Sequence, residues 1–377
     1  MYFSRSKLEE KVRELGFNLF GVTPAHPSPR LNNYLQWIEQ GYQGAMGYLA
    51  REDRIIRRQD PQVILKGAES FIVVGMDYRS FYADEATLTD PNRGRIASYA
   101  WDLDYHDIME DKLDILARWL QEETGQTAQS RVYVDTGAIL EKSHAQQAGM
   151  GFIGKNTLLI HPQRGSYFFL GSLISNIEID PYDEPHRETM CGQCTRCQTA
   201  CPTDAFVKPY VLDARKCISY HTIENKGWID FDLRSQFGNW VYGCDICQDV
   251  CPFQRFTVET DEIAYRAKDE NHVMPKLDFL LALDEPHFKE IYARSPIYRI
   301  KRERLVRNAC IASGNSGNLA FVDALKLLLE DPSLLVRGHA LWALWRLIGT
   351  EANSHLEQGY RETEDAILRK DIVRMLA

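Results

Sequence analysis

The chain has 377 residues, 44% hydrophobic and 26% charged, an ordinary globular balance with apolar material for two or three cores. Its net charge of −9 excludes a dedicated non-specific nucleic-acid binder, so any such contact must come from a local basic patch. No stretch approaches the ~20 apolar residues that span a bilayer. The opening segment lacks the apolar core of a signal peptide, so the expected compartment is the cytoplasm, where clustered cysteines are metal ligands or redox groups rather than disulfides.

Residues 1–180 form the first predicted block. MYFSRSKLEEKVRELGFNLFGV has an amphipathic helix pattern, and SFIVVGMDY (Ser70–Tyr78) an apolar strand pattern. RIASYAWDLDYHDIMEDKLDILARWLQEE reads as a loop leading into an amphipathic helix. RVYVDTGAILEKSHAQQAG reads as a strand, a turn and a helix, and TLLIHPQRGSYFFLGSLISNIEI as two strands around a turn at Pro162–Gly165. Mixed helices and adjacent late strands give the fold class α+β.

Asp135 in VYVDTG ends a strand pattern at a turn. A carboxylate there is either partly desolvated and suited to donate a proton, or the cap of the following helix; the cap is the plainer reading of the residues alone. Arg58, before Asp60-Pro61, and Lys155 are candidate anion contacts, and Tyr105-His106 a candidate acid–base pair. Gly149, Gly151 and Gly154 form G-x-G-x-x-G, but with a helix before and a strand after, the reverse of a dinucleotide fingerprint; this predicts a glycine turn.

Residues 181–257 form the second block. Cys191, Cys194, Cys197 and Cys201 follow C-x2-C-x2-C-x3-C-P, and Cys244, Cys247 and Cys251 repeat the end of that run after a lone Cys217. In the bacterial ferredoxin pattern the fourth cysteine of a run ligates the other cluster. That crossing assigns one [4Fe–4S] cluster to Cys191, Cys194, Cys197 and Cys251, and a second to Cys201, Cys217, Cys244 and Cys247. Zinc prefers two well-separated C-x2-C pairs and fits less well. Trp228 and Trp240 are read as cover for the clusters or as plain core. Cys310, at an apolar position of a helical pattern, reads as a core cysteine.

Residues 258–377 are predicted to be helical. Leu305-Val306-Arg307 recurs as Leu335-Val336-Arg337, with a weaker copy at Ile367-Leu368-Arg369, which suggests short HEAT-like repeats or a structural cap. RIKRERLVR (Arg299–Arg307) is the one basic run singled out, either a solvated helix face or a nucleic-acid contact.

Val134–Gly171, the cysteine runs with CISYHTIE (Cys217–Glu224) and YGCDICQDVCPF (Tyr242–Phe253), and the repeat tail together resemble the epoxyqueuosine reductases of tRNA queuosine synthesis. The resemblance covers essentially the whole chain. It implies an oxidoreductase that reduces epoxyqueuosine to queuosine at the wobble position of tRNAs with GUN anticodons. The N-terminal block would bind cobalamin, a ferredoxin-like module would carry two [4Fe–4S] clusters, and a HEAT-like tail would bind tRNA. Cobalamin would bind base-off, which agrees with the absence of an Asp-x-His-x-x-Gly signature: Asp104-Tyr105-His106 lacks the glycine. Asp135 would be the proton donor. Arg58, Ser98, Asp135, Lys155, Asn156 and Ser219 would contact the corrinoid, and Arg299, Lys301, Arg302, Arg304 and Arg307 the tRNA. A low-potential flavodoxin- or ferredoxin-type donor, a monomeric state and no membrane association complete the expectation. Two other readings are a cytoplasmic corrinoid reductase of a small molecule, resembling reductive dehalogenases, and an electron-transfer partner that binds no corrinoid.

Overall fold

A computed structural model of the chain describes residues 2–80, 84–186 and 189–377. Its first half is built on a four-stranded antiparallel sheet of β1 (Leu19–Pro24), β2 (Ser70–Asp77), β3 (Ser130–Tyr133) and β4 (Phe168–Ser175), in the spatial order β1-β2-β4-β3. Every residue of β2 is buried, which is why its sequence is a continuous apolar run rather than an alternating one. The pleat then sorts its side chains: Ile72 and Val74 join one core, Phe71 and Val73 the other.

The helices that matter below are α1 (Arg5–Glu14), α2 (Glu52–Gln59), α3 (Tyr105–Glu123), α4 (Glu141–Gln147), α5 (Ile218–Ile223), α6 (Lys301–Ser316), α7 (Leu334–Ile348) and α8 (Ala366–Leu376). Met109, Leu113, Leu116 and Leu120 form a stripe at helical spacing that packs α3 on the Ile72/Val74 face. Ala145 and Ala148, in and just after α4, pack on the Phe71/Val73 face. The C-terminal end of α4 comes so close to β1 that a Cβ on Gly21 would lie 2.1 Å from the Ala148 carbonyl oxygen, so only glycine fits there.

Two details differ from the sequence reading. The opening segment is not one helix: Tyr2–Ser4 is a strand, α1 ends where Gly16 takes a φ of +87°, and Leu19 onward is β1. Its apolar residues serve two elements of different period, which a single helical pattern merges. Leu159–Ile160 pairs with Phe152–Ile153, not along β4; only the His161–Gly165 bridge spans the Pro162–Gly165 turn. The G-x-G-x-x-G segment lies between α4 and that short pairing, with Gly149 and Gly151 at positive φ.

The tail does not stand apart. One continuous core joins Ile96, Ala97 and Trp101 of the first block, Ile218 and Trp240–Tyr242 of the cysteine module, and α6, α7 and α8. Trp228 stacks on His339, and Trp240 lies under Arg95 in this core. Cys310 is fully buried in it. In the two later copies of the Leu-Val-Arg pattern, Arg337 and Arg369 each donate to the carbonyl six residues upstream, Asp331 and Thr363, closing the loop before their helix, whereas Arg307 of the first copy donates to carbonyls of the cysteine module.

Candidate active site

The eight clustered cysteines fall into two adjacent foursomes. Cys197 lies within electrostatic reach of Cys191, Cys194 and Cys251, and Cys251 of Cys191 and Cys194. Cys217 lies near Cys201, Cys244 near Cys217 and Cys201, and Cys247 near Cys217 and Cys244. Cys247 also reaches Cys197, so the foursomes are neighbours. Burial and the neighbouring thiols push the Cys247 thiol up, a cost that ligation to iron would remove. Backbone N–H groups point at the sulfurs: Lys155 to Cys191, Ala205 to Cys201, and Ser219 and Tyr220 to Cys217. Such donors raise the potential of a bound cluster.

Asp135 lies beyond the end of β3 with a φ of +57°, a left-handed backbone that costs a non-glycine residue about 1 kcal/mol. Its N–H donates to Glu141 Oε1 at 2.8 Å, and its Oδ2 accepts from the Tyr105 hydroxyl at 3.2 Å. It does not cap α4, whose N-cap is Leu140 with no side-chain hydrogen bond. The carboxylate is 66% exposed, yet Tyr48, Tyr99, Tyr105, Glu141, Lys142 and Glu224 all lie within its electrostatic reach. Accessible surface with protein on so many sides is the wall of a cleft.

Asp104 caps α3 by accepting from the His106 N–H, and its Oδ1 lies 2.6 Å from His106 Nδ1. The opposite ring nitrogen, Nε2, lies 3.6 Å from Asp135 Oδ2. Arg299 Nε meets the other Asp104 oxygen at 3.0 Å. Burial pulls the imidazole pKa down, but the two carboxylates overcome this and push it up to about 9. Burial raises Asp135, but His106 and Tyr105 outweigh it and hold Asp135 below the usual carboxylate range. Glu141, half-buried beside that charge, is pushed up to about 8 by desolvation and by the Asp135 carboxylate. Lys142 donates to the Thr157 carbonyl at 3.0 Å and lies within reach of both Asp135 and Cys247. One side chain therefore spans the gap between the cysteines and the carboxylate.

The other expected contacts are placed less simply. Arg58 is buried, with its guanidinium 5.0 Å from the Tyr34 ring centre; its Nε has no partner, and Glu141 and Tyr48 are near. Ser98 does not line the cleft. It is 2% exposed and gives its N–H and hydroxyl to Asp245 at 2.6 and 2.8 Å, leaving Tyr99 to face Asp135. Lys155 turns to the first cysteine loop, donating to the Gly192 and Cys194 carbonyls at 2.8 and 2.9 Å. Asn156 is buried and donates to the Cys247 carbonyl at 3.2 Å. Ser219 is half-buried beside Cys217.

The basic run Arg299–Arg307 is mostly not a surface, which corrects the expected patch. Arg307 is 0% exposed, and its guanidinium donates to the carbonyls of His221, Asn225 and Gly227 at 2.6–2.9 Å. Arg304 is buried and donates to the Ile300, Ile223 and Arg299 carbonyls. Arg302 is held by the Leu283 carbonyl and Asp331. Arg299, paired with Asp104, and Lys301 are the two exposed basic members of the run. On α2 and its flank the sequence reading named Arg58 but not its neighbours: Arg54 Nη1 meets the Thr136 carbonyl at 2.8 Å, next to Asp135, while Arg51 and Arg57 are exposed beside it. It also left Glu141 and Lys142 unmarked; their only sequence signal is their position at the start of the helix that follows the Asp135 turn.

Two family models match the chain, "Epoxyqueuosine reductase QueG, DUF1730" over residues 58–136 and "4Fe-4S double cluster binding domain" over residues 190–254. The epoxyqueuosine reductase of Xanthomonas campestris pv. campestris is 39% identical over 342 residues, 90% of this chain and 95% of that protein. That of Escherichia coli is 37% identical over 345 residues, 90% of this chain and 89% of that protein. A crystal structure of epoxyqueuosine reductase with a tRNA-Tyr epoxyqueuosine-modified stem loop has a TM-score of 0.89 at 30% identity, covering 98% of this chain and 97% of that one. Likeness of this depth in both sequence and fold, held along nine-tenths of the length, settles the ancestry: the chain belongs to the epoxyqueuosine reductase family.

Proposed function

We propose that the chain reduces epoxyqueuosine to queuosine at the wobble position of tRNAs with GUN anticodons, in the cleft beside Asp135. The observation that carries this is Lys142, within reach of both Cys247 and Asp135: the electron-carrying and proton-carrying groups share one cleft. The first cluster is assigned to Cys191, Cys194, Cys197 and Cys251, and the second, nearer the cleft, to Cys201, Cys217, Cys244 and Cys247. Base-off cobalamin, a large group with a polar rim, would occupy the space in front of Asp135. Asp135, Tyr48 and Lys142 stay accessible though ringed by protein, and Arg58 keeps a buried Nε without a partner. When bound, cobalamin supplies a strongly nucleophilic reduced cobalt. Arg58, Tyr48, Tyr99 and Lys142 would hold it, with Ser219 at the cluster side; Ser98, Lys155 and Asn156 would act behind them by fixing the loops.

Asp135 passes a proton to the epoxide oxygen as the ring opens, and Tyr105 orients its carboxylate. The neutral base needs contacts that fix it over this group, and the phosphates need cations at the mouth. Arg51, Arg54 and Arg57 are our candidates for those cations, joined by Lys301. In this division residues 1–180 bind cofactor and base, 181–257 carry the clusters, and 258–377, as HEAT-like repeats, brace the module. No helix of the described residues is long and apolar enough to cross a membrane; we take the protein as a cytoplasmic monomer fed by a low-potential flavodoxin- or ferredoxin-type donor.

The test is anaerobic reconstitution with iron, sulfide and cobalamin, then reaction with epoxyqueuosine-tRNA and a low-potential reductant. Nucleoside mass analysis should show loss of one oxygen. Asp135→Asn should slow this by about 10²–10⁴-fold, the usual contribution of a general acid. An intact epoxide in the presence of clusters and corrinoid would overturn the proposal.

A further inference from the structure

The reduction proposed above places an unusual demand on its acid. Both C–O bonds of the epoxide break, a C=C bond forms, two electrons enter, and the oxygen leaves as water. Two protons therefore reach one oxygen in each turnover, and a single carboxyl group holds one. We propose that His106 supplies them by loading Asp135: the His106 Nε2–H bond breaks as an O–H bond forms on Asp135 Oδ2, and Asp104 stays ionised throughout. This rests on the proposed function and adds to it the source of the protons.

The geometry selects His106 over its neighbours. Its Nδ1 is held by Asp104 at 2.6 Å, so Nε2 is the nitrogen turned to Asp135, at 3.6 Å. That distance is long for proton transfer, but such contacts tighten when substrate fills a site. Glu141 meets the Asp135 backbone N–H rather than its carboxylate. Lys142 is bound to the Thr157 carbonyl, and burial with the Asp135 charge makes the Tyr105 hydroxyl a poorer acid than usual. The charged and titratable groups that face the pair are Asp104 and Tyr105 at the start of α3, Tyr99 ahead of it, Arg299 ahead of α6, Glu141 and Lys142 of α4, Tyr48 ahead of α2, and Glu224 just after α5. The arrangement follows the logic of a carboxylate–imidazole pair, in which the buried carboxylate fixes the tautomer and stabilises the imidazolium. An imidazole raised to about 9 is loaded at neutral pH and emptied above that value. Asp135, held ionised by the same contact, therefore takes its first proton as well as its second from His106 Nε2, and the imidazole is recharged from solvent between the two transfers. His106 acts through Asp135 and is a positioning and reloading residue.

Two variants of the holoenzyme test this. With an epoxyqueuosine-modified stem loop, His106→Asn should be about 100-fold slower at pH 8, the lower part of the range for a lost proton-transfer group. Stem-loop affinity and cluster absorbance should be unchanged. The wild-type rate should fall as pH rises through about 9. Asp104→Asn keeps the ring, and should move that fall towards the ordinary histidine value of about 6.5. The same shift should appear in the His106 imidazole resonance of the oxidised holoenzyme without substrate, a readout that needs no turnover. A wild-type imidazole that titrates near 6.5, or an alkaline limb that neither variant moves, overturns the relay. Failure of the wild type to reduce the stem loop sinks the proposed function instead, and the resonance still decides whether His106 is built to hold a proton.

Discussion

Two arginine-rich segments of this chain look alike in sequence and differ in use. REDRIIRR (Arg51–Arg58) and RIKRERLVR (Arg299–Arg307) each carry basic residues at helical spacing with few acids. In the first, Arg58 turns inward while Arg51 and Arg57 stay exposed and Arg54 reaches the loop that holds Asp135. In the second, Arg302, Arg304 and Arg307 turn inward and spend their donors on backbone carbonyls and Asp331. Arginine suits both settings because its fork of donors satisfies several acceptors at once. A buried arginine whose donors are saturated is architecture. Beside the cleft, Arg51 pairs with Asp53 in an exposed contact that a ligand can exchange, and Arg54 spends one Nη on the Thr136 carbonyl.

That contrast is breakable, and the largest effect should come from Arg307→Leu. It strands the carbonyls of His221, Asn225 and Gly227 and empties a fully buried space; the His221 carbonyl is buried and costs about 1–3 kcal/mol when unsatisfied, the part-buried other two less. A loss of at least about 3 kcal/mol is expected in denaturant unfolding, together with weaker retention of the cluster whose ligand Cys217 precedes α5. A variant as stable as the wild type would void the structural role. Next comes the double change Arg54→Glu with Arg57→Glu. Stem-loop affinity should fall about tenfold or more, and the slope of log affinity against log salt should drop by about 2 as two phosphate contacts vanish. Unfolding and cluster absorbance should not change; an unaltered salt slope would remove α2 from the RNA surface. Lys301→Glu should have the smallest effect, a slope change of about 1 at most, because one exposed cation is lost and nothing is left unsatisfied. If it outweighed the α2 pair, the RNA would lie on the tail.

The cysteines show what linear spacing can carry. Seven of the eight thiols stand at intervals of three or four within two runs, and the ferredoxin crossing turns that spacing, with Cys217, into an assignment of two foursomes. Asp135 was legible as a candidate and ambiguous in role, because a strand end before a helix is also where a cap belongs. The observed cap, Leu140, lies five positions on, since the turn first takes a left-handed step at Asp135. His106 was visible beside Tyr105 without weight of its own. Its significance comes from Asp104 on one side and Asp135, from another element, on the other. Ser98 and Lys155 were expected at the corrinoid, but Asp245 and the first cysteine loop claim them.

By itself the sequence determined the elements whose information is local: the central strand β2, the stripe of α3, the two cysteine foursomes and the repeated Leu-Val-Arg of the tail. Each depends on spacing along one stretch of chain, and periodicity or loop length sets that directly. Only the tertiary structure decided which charges meet water, which arginines are spent inside, and which histidine nitrogen faces the carboxylate. Those outcomes depend on partners far apart in sequence, 195 positions from Asp104 to Arg299 and 86 from His221 to Arg307. A charge reports its energy only once its partners are in place.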